Sequence, residues 1–436
     1  MDRQTTHWAA NFCIHNLRST LHAHGVAISS QKHIIVIGGG AAGFFGAIAA
    51  AETGAKVILL EKGSQFLSKV RISGGGRCNV THACFEPREL AHRYPRGGKA
   101  LIGPFNRFQP RDTMEWFETR GVELKVEGDG RVFPVSDTSQ TIIDALQNAA
   151  QKAGVVCRSN ANVTRLLKKE DQFEVSIGKE EMLVADAVLL AVGGARAESA
   201  GRLASELGHK LTSPIPSLFT FEIAVPWLRE IPGVVAEVEV HIPAVGLRER
   251  GPMLVTHWGG SGPAILRLSA WGARGLAELD YRFPLFVNWL GGASREEISE
   301  KLAALRSSHP GKQVSGLAPH PLPVRLWEKL TTVAEVMPGT TWNRLPRVQA
   351  LRLGELLHRT ELPVTGKSLN KEEFVTCGGV VLPEVDFRTM ESRVCSGLYF
   401  AGEILDIDGI TGGFNFQSAW TTGYIAGKAM AGSSIG

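Results

Sequence analysis

The stretch HIIVIGGGAAGFFGAIAAAETGAKVILLE, residues 33 to 61, decides the fold of this chain. Its apolar run from Ile34 to Ile37 predicts a buried strand. A glycine-rich turn from Gly38 to Gly43 then leads into a small-residue helix, and Lys56 to Leu60 predict a second strand. The stretch is therefore predicted to be a complete βαβ unit.

The turn of this unit has the spacing of a phosphate-binding loop. Gly38 permits a tight turn, Gly40 lets a pyrophosphate approach the backbone, and Gly43 lets the helix pack close to the strand. The anion would then lie at the helix N-terminus. Glu61 ends the second strand, where a carboxylate binds the ribose hydroxyls of an ADP group. The unit thus predicts a dinucleotide-binding domain.

Length and composition indicate a globular protein of more than one domain. Of the 436 residues 44% are hydrophobic, and the 47 basic and 43 acidic residues give a net charge of +4, which does not argue for a polyanionic partner. No apolar run reaches the roughly 18 residues that a membrane-spanning helix needs. The six cysteines are scattered without close pairs, which favours reduced thiols and a cytoplasmic location.

Residues 1 to 32 are predicted to lie outside the fold that begins at His33. They contain one acidic residue, Asp2, and lack the continuous apolar core of a secretory signal. So few acidic residues fit an organelle transit peptide, but transit peptides are usually richer in arginine and serine. An untargeted extension and an upstream start codon therefore stay open as well.

A second glycine-rich loop, KGSQFLSKVRISGGGRCNVT at residues 62 to 81, follows the second strand. Three consecutive glycines favour a loop that passes close to a ligand or adopts positive φ. Backbone N–H groups beside Lys69, Arg71 and Arg77 suit a phosphate or an electron-rich ring. The loop is therefore predicted to contact the cofactor, with Cys78 as a packed small side chain rather than a redox thiol.

Two later segments are predicted to reach the same crevice. The buried strand from Ala187 to Val192 stops at Gly193-Gly194, and paired glycines at the end of a parallel strand mark a ligand site. Residues 397 to 430 contain a short strand, a loop with Glu403, a Gly412-Gly413 turn and a small-residue helix. Such a helix would direct its N–H groups at the crevice and stabilise a reduced flavin, which is anionic at its N1–C2=O edge.

The remaining segments predict further helices and a β-rich part. Helical periodicity is found at residues 111–121, 137–154, 294–308, 321–337 and 342–359. Asp137 is the predicted N-cap of the second of these helices. Residues 215 to 288 are rich in β-branched and aromatic residues with proline punctuation, which predicts an antiparallel barrel or sandwich.

Several segments together resemble the flavoprotein family often labelled HI0933-like or YhiN-like. These segments are KVRISGGGRCNVT from Lys69, GRVFPVSD from Gly130, LVTHWGGSGPAIL from Leu254, FVTCGGVVLPEVDFRTMES from Phe374 and GLYFAGEILDIDGITGGFNFQSAW from Gly397. The resemblance covers nearly everything from His33 to Gly432. It implies an α/β fold in which a Rossmann-like FAD-binding domain of the glutathione-reductase type is split by an inserted module.

The resemblance also implies domain boundaries and cofactor contacts. The FAD-binding domain would comprise residues 33–212 and 374–436, and the inserted module 213–373, with β-rich parts at 213–290 and 360–373 and a helical part at 291–359. Together with the glycine-rich turns, it implies FAD contacts from Gly38, Gly40, Ala41, Ala42, Gly43, Glu61, Lys62, Lys69, Ser73, Gly74, Gly75, Gly76, Arg77, Cys78, Asn79, Val163, Ala191, Gly193, Gly194, Gly402, Glu403, Gly412, Gly413, Phe414 and Asn415.

The chain departs from the family pattern at two positions. The family usually has Thr where this chain has Val192, and Asn where this chain has His82. Neither position belongs to the residues that are expected to bind ADP, so the predicted dinucleotide site is unaffected. The changes bear on the flavin side or the substrate side of the crevice.

The predicted function is a flavin oxidoreductase that transfers hydride from NADH or NADPH through N5 of FAD to an organic acceptor. The resemblance implies similarity to reductases of conjugated C=C bonds in bile-acid-like enones. His257, Arg71, Arg77 and Asn415 are the candidates for acid or donor roles. The predicted partner is a small-molecule substrate rather than a nucleic acid or a membrane, and the oligomeric state stays open. No His or Cys cluster has metal-ligand spacing, so no metal is predicted.

Three alternatives stay open. The protein would be an oxidase or monooxygenase if oxygen accepts the electrons. It would be a flavin-dependent RNA-modifying enzyme on a related fold, against which the sequence shows no basic stripe or stacked-aromatic platform. It would be a non-catalytic flavoprotein if FAD serves only a structural or sensory purpose.

Overall fold

A computed structural model describes residues 31–194, 198–368 and 375–433 of the chain. The predicted leader therefore lies outside the described residues, apart from its last two positions. The first group of elements comprises β1 His33–Ile37, α1 Ala41–Glu52, β2 Lys56–Leu60, α2 Ser68–Ile72, β3 Thr81–His82, α3 Pro87–Ala91, α4 Gly98–Phe105, α5 Pro110–Glu118, β4 Leu124–Val126, β5 Arg131–Pro134, α6 Ser139–Lys152, β6 Val156–Arg158, β7 Val163–Lys169, β8 Gln172–Ile177, β9 Glu181–Ala185 and β10 Ala187–Leu190.

The second group belongs mainly to the predicted inserted module. It comprises α7 Glu198–Glu206, β11 Leu211–Ser217, β12 Thr220–Ile223, α8 Pro226–Arg229, β13 Val235–Ile242, β14 Leu247–Val255, β15 Gly259–Ser261, α9 Pro263–Glu278, β16 Phe283–Asn288, α10 Arg295–Ser308, α11 Val324–Val333, α12 Arg347–Arg359 and β17 Thr360–Ser368. The chain ends with β18 Val375–Val380, β19 Val385–Asp386, β20 Glu391–Ser392, β21 Leu398–Phe400 and α13 Phe414–Met430.

Within these ranges, seven strands form the central sheet in the order β19-β20-β21-β10-β1-β2-β6. β1 pairs in parallel with β2 and β10, β10 with β21, and β2 with β6. The predicted βαβ unit is confirmed, and Ile34 to Ile37 are buried because β1 is central in the sheet. β21 lies beside β10 although the whole β-rich and helical part of the chain separates them, so early and late segments share one sheet.

Small residues let α1 and α13 approach each other closely. A Cβ atom added at Gly423 would lie 2.4 Å from Ala42 O, and one at Gly427 would lie 2.3 Å from Gly46 O. Any larger side chain at these positions would separate the two helices. α1 begins after β1 and α13 begins after β21, so both helices start on the carboxyl side of the parallel strands. In folds of this type that side carries the ligand.

The β-rich part forms a closed barrel, in the strand order β12-β15-β14-β13-β16-β17 within the described ranges. Alternate residues such as Val238 and Val240 of β13 and Leu285 and Val287 of β16 are fully buried and form a core distinct from that of the central sheet. Of the two predicted forms, barrel and sandwich, the barrel is thus observed. Helix α9 interrupts this part and had not been predicted. It begins with Pro263, a residue whose fixed φ suits the first helical turn.

The helices at residues 295–359 agree with the periodicity but are shorter at their ends. Ser294 caps α10 in a reciprocal pair with Glu297. α11 begins after Pro323, and α12 begins after Pro346 rather than at residue 342. The predicted N-cap at Asp137 is wrong, because the side chain of Thr138 accepts the capping hydrogen bond of α6. No helix in the described part of the chain combines the length and hydropathy that a membrane span requires.

Candidate functional site

In the turn between β1 and α1, Gly40 has open space beside its backbone, whereas the other glycines are closely packed. A Cβ atom at Gly38 would lie 2.3 Å from Ala191 O, and one at Gly43 would lie 1.9 Å from Gly38 O. Both glycines are therefore required for packing. At Gly40 an added Cβ would meet nothing within 4 Å, and no side chain caps α1 among the described residues. This open cradle at a helix N-terminus, next to Ala41 and Ala42, fits a pyrophosphate.

Glu61 lies at the end of β2 with its carboxylate held by the backbone. Oε2 accepts a hydrogen bond from Gly39 N–H at 2.8 Å, and Oε1 accepts one from Gly63 N–H at 2.7 Å. A carboxylate has further lone pairs, so it is still able to accept from ribose hydroxyls. A cavity beside it is lined by Ile37, Gly38, Leu60, Glu61, Lys62, Ala161, Asn162, Val163, Val192 and Leu203. Four predicted contacts, Gly38, Glu61, Lys62 and Val163, thus share one cavity.

The second glycine-rich loop presents its backbone to open space. Gly74, Gly75 and Gly76 all have positive φ, and Ser73 Oγ donates to Val70 O at 2.9 Å. An added Cβ at Gly75 or Gly76 would meet nothing within 4 Å. Cys78 is fully buried, and this burial raises the pKa of its thiol to about 12. The preference for a packed Cys78 over a redox thiol agrees with this environment.

An ion pair joins this loop to the end of β21. Lys69 Nζ lies 2.5 Å from Glu403 Oε2, and Glu403 Oε1 also accepts from Thr376 N–H at 2.8 Å. A Cβ atom at Gly194 would lie 2.3 Å from Thr376 Oγ1, and one at Gly193 would lie 4.0 Å from Glu403 Oε2. The structure thus brings together four of the predicted FAD contacts, Lys69, Gly193, Gly194 and Glu403. Thr376, which was not predicted from the sequence, also belongs to this group.

The start of α13 is fixed by the segment that follows the second glycine loop. With its amide oriented to satisfy both partners, Asn79 accepts from Gly413 N–H at 3.0 Å and donates to Thr81 O at 2.9 Å. The Thr81 hydroxyl donates to Gln417 Oε1 at 2.6 Å, and Trp420 Nε1 donates to Val80 O at 2.9 Å. The Thr81–Gln417 and Trp420–Val80 bonds are buried and connect positions more than 330 residues apart. They hold the N-terminus of α13 toward the crevice.

Glycines with positive φ form the turns before α13. Gly402, Gly412 and Gly413 have positive φ, and a Cβ at Gly413 would lie 2.6 Å from Thr81 O. Gly402 N–H donates to Thr422 Oγ1 at 2.9 Å, which ties the end of β21 to α13. Phe414 is buried as the first residue of the helix. The predicted contacts around the C-terminal turn therefore lie together.

The four candidates for acid or donor roles occupy different environments. Asn415 accepts from Gly409 N–H at 2.8 Å and donates to Gly409 O at 2.9 Å, which fixes the loop before α13. Arg77 donates to Glu127 at 2.7 Å and lies 4.0 Å from the Phe133 ring centroid. Arg71 donates to Gln140 at 2.7 Å. His257 is exposed in the hairpin between β14 and β15. Their catalytic roles stay predictions.

Two aspartates in the loop before α13 connect the sheet to the barrel. Asp408 is fully buried, pairs with Arg96 through both carboxylate oxygens, and accepts from Ser217 Oγ at 2.7 Å. Arg96 also donates to Ala270 O in α9 at 2.7 Å. Asp406 pairs with Arg274 of α9 at 2.8 Å. This loop thus anchors the helix of the barrel against the cofactor crevice.

The fold and this crevice define a dinucleotide-binding protein of the Rossmann type. The family model HI0933-like protein Rossmann domain matches residues 32–429, so the chain belongs to the HI0933-like family. This confirms the resemblance that the sequence motifs indicated. This is a family of FAD-binding flavoprotein oxidoreductases. Membership in it supports the prediction of an FAD-dependent oxidoreductase with a Rossmann nucleotide-binding fold.

Curated relatives span almost the whole chain. The chain is 30% identical over 406 residues to the ribosomal RNA dihydrouridine synthase of Escherichia coli (strain K12), covering 91% of this chain and 97% of that protein. It is 29% identical over 415 residues to the 3-dehydro-bile acid delta(4,6)-reductase of Clostridium scindens, covering 92% and 99%. Among solved structures it is similar to a 3-ketosteroid delta1-dehydrogenase from Sterolibacterium denitrificans, with 13% identity, a TM-score of 0.49, and coverage of 92% and 100%.

Proposed function

We propose that this protein is an FAD-dependent reductase of a C=C bond conjugated to a carbonyl group, with NADH or NADPH as the hydride source. The structural observation that carries the cofactor assignment is the open backbone at Gly40, at the N-terminus of α1, together with the Glu61 carboxylate that Gly39 N–H holds at the end of β2. The names of the two curated relatives support the bond type. A uracil ring and a 3-oxo-delta(4) steroid both place a C=C bond next to a carbonyl group.

In this proposal the chain holds FAD along the carboxyl edge of the sheet. The N-terminus of α1 at Gly40 binds the pyrophosphate, and Glu61 binds the ribose of the ADP half. Glu403 and the backbone at Gly75 face the other half, while the N-terminus of α13 stabilises negative charge on its ring system. When bound, FAD supplies hydride transfer through N5.

The barrel would cover the reactive face of the crevice and exclude water from it. We place the FAD-binding domain at 33–212 and 374–436 and the inserted module at 213–373. The pairing of β10 with β21 supports this division, since the strands lie on either side of the module in sequence. The barrel has a core of its own, and Arg96, which pairs with Asp408, connects to its helix α9 by donating to Ala270 O.

We propose a small organic enone as the substrate and the cytoplasm as the location. A uridine in RNA is the second candidate, which one specific relationship favours: the 30% identical relative is named as a ribosomal RNA dihydrouridine synthase. Trp258, beside His257, is 66% exposed in the hairpin between β14 and β15. An exposed indole is able to stack on a nucleobase. The expectation of no nucleic-acid partner is therefore replaced by a choice between two substrates.

The test is an anaerobic titration of the purified yellow protein with NADH and NADPH. Bleaching of the flavin band by one nucleotide, followed by recovery on adding a steroid enone or unmodified ribosomal RNA, supports the proposal and selects the substrate. Immediate reoxidation by air with release of peroxide would instead indicate an oxidase. Failure of both nucleotides to bleach the band would indicate a non-catalytic flavoprotein.

A further inference from the structure

His82 lies beside the turn at Gly412 and the start of α13, which are proposed to face the flavin. It ends β3 and its ring stacks on Phe414, the first residue of α13, with 4.7 Å between the ring centroids and 22° between the planes. A Cβ atom on Gly412 would lie 3.6 Å from its Cδ2. His82 therefore contacts the turn that is proposed to face the flavin.

The two ring nitrogens of His82 have different environments. Nε2 lies 3.1 Å from Asp129 O, so Nε2 carries the hydrogen and donates it to this carbonyl. Nδ1 is buried and has no hydrogen-bond partner within the described residues. A buried acceptor without a partner is rare in folded proteins, because its desolvation is not compensated. Nδ1 is thus a buried acceptor without a partner in the described part of the chain, on the ring edge beside Gly130, where an added Cβ would lie 3.2 Å from it, whereas Cδ2 is the ring atom nearest the Gly412 turn.

The surroundings of the ring disfavour its protonation. Burial lowers the pKa of His82, and the positive charges of Arg93 and Arg131 lower it further, whereas the Asp129 carbonyl and carboxylate raise it. Phe414, which stacks on the His82 ring, carries no charge. A negative charge appearing at the N-terminus of α13 would act against the first three effects.

We propose that His82 takes up a proton at Nδ1 when the flavin in this crevice is reduced. The inference rests on the proposed function, since it requires bound FAD. In the balanced step, hydride from NAD(P)H carries two electrons and one proton to the flavin. A second proton passes from solvent to Nδ1 of His82, so the negative charge on the flavin and the positive charge on the imidazole form together. The N-terminus of α13 and the His82 ring then stabilise the same charge.

Thermodynamic linkage makes the coupling between flavin reduction and His82 protonation reciprocal. If reduction raises the affinity of His82 for a proton, protonation of His82 raises the reduction potential of the flavin by the same free energy. Between the His82 pKa of the oxidised protein and that of the reduced protein, two protons accompany two electrons. At a pH above both pKa values, only one proton accompanies the two electrons. The family residue expected at this position, Asn, has no titrating group, so the coupling would be specific to chains that carry His here.

The experiment uses the FAD-loaded full chain with labelled histidine. NMR should show His82 titrating at a pH about one unit or more higher in dithionite-reduced than in oxidised protein. Spectroelectrochemistry should show a midpoint potential that falls more steeply with pH in the wild type than in His82→Asn. His92→Asn, a change at an exposed histidine, is the matched control and should follow the wild type.

The outcomes separate this inference from the proposed function. Bound FAD together with an equal His82 pKa in both redox states overturns the inference alone. Equal pH slopes for wild type and His82→Asn overturn it as well. A purified chain that neither contains nor takes up FAD overturns the proposed function and the inference with it. The NMR measurement needs only the wild type, so it decides the matter even if His82→Asn does not fold.

Discussion

Lys69 and Glu403 stand 334 positions apart in the chain, yet Lys69 Nζ and Glu403 Oε2 lie 2.5 Å apart. The lysine follows the βαβ unit, and the glutamate follows strand β21 of the central sheet. Their pairing shows that the first and last parts of the fold meet at one crevice. Because the Lys69 side chain is 53% exposed, the pair itself contributes little to folding.

For Glu403→Gln we therefore expect a change in cofactor binding with little change in stability. The free energy of unfolding should fall by less than about 1 kcal/mol. If Glu403 contacts the cofactor as proposed, FAD affinity should fall roughly tenfold or more, because a charge-assisted hydrogen bond is lost. FAD titration and denaturant unfolding measure the two effects. Glu181→Gln, which breaks the surface pair with Arg158 at 2.7 Å, is the control and should alter neither quantity measurably.

Asp408 should behave in the opposite manner. Asp408→Asn leaves the Arg96 guanidinium without its counterion in a site where that side chain is only 12% exposed. Removing one partner of a buried pair costs about 3–5 kcal/mol, so urea unfolding of the variant should begin at clearly lower concentration. Asp280→Asn, at an 89% exposed carboxylate, should change stability by less than about 0.5 kcal/mol. Equal effects of the two substitutions would contradict a stabilising role for the buried Asp408–Arg96 pair.

Thiol labelling tests the interior position of Cys78. Alkylation requires the thiolate, and burial raises the pKa of Cys78 to about 12, so this thiol should stay protonated up to about pH 10. Iodoacetamide should label the exposed Cys157 of the native protein and leave Cys78 unmodified. Mass spectrometry of the digested protein gives the result. Rapid labelling of Cys78 at pH 8 would mean that the second glycine loop opens in solution.

The nucleotide unit could be predicted from sequence because its determinants are local. Four aliphatic residues, a glycine turn and a second strand lie within 29 residues, and the observed β1, α1 and β2 agree with them. An antiparallel barrel or sandwich could be predicted from proline punctuation and β-branched residues, but the choice of the barrel came from the structure. Helix α9 was not predicted, although Pro263 after Gly262 is a helix-start signal.

The parts that sequence could not supply depend on contacts between distant segments. Nothing near Arg77 in sequence shows that Glu127 and Asp137 would pair with it. The orphaned Nδ1 of His82 follows from Asp129 and Phe414, which arrive from two other elements. Asp408 in a polar loop has the pattern of a solvated acid, and only the fold reveals that it is buried against Arg96.

The most direct measurement of the central claim is the visible spectrum of purified Gly40→Val beside its unfolding curve. A Cβ atom at Gly40 would meet no protein atom within 4 Å, so the variant should fold like the wild type. Its side chain would occupy the space assigned to the pyrophosphate, so the protein should be colourless. Gly43→Val, whose Cβ would lie 1.9 Å from Gly38 O, should instead lose stability. A folded Gly40→Val protein that carries a full complement of yellow FAD would contradict the account.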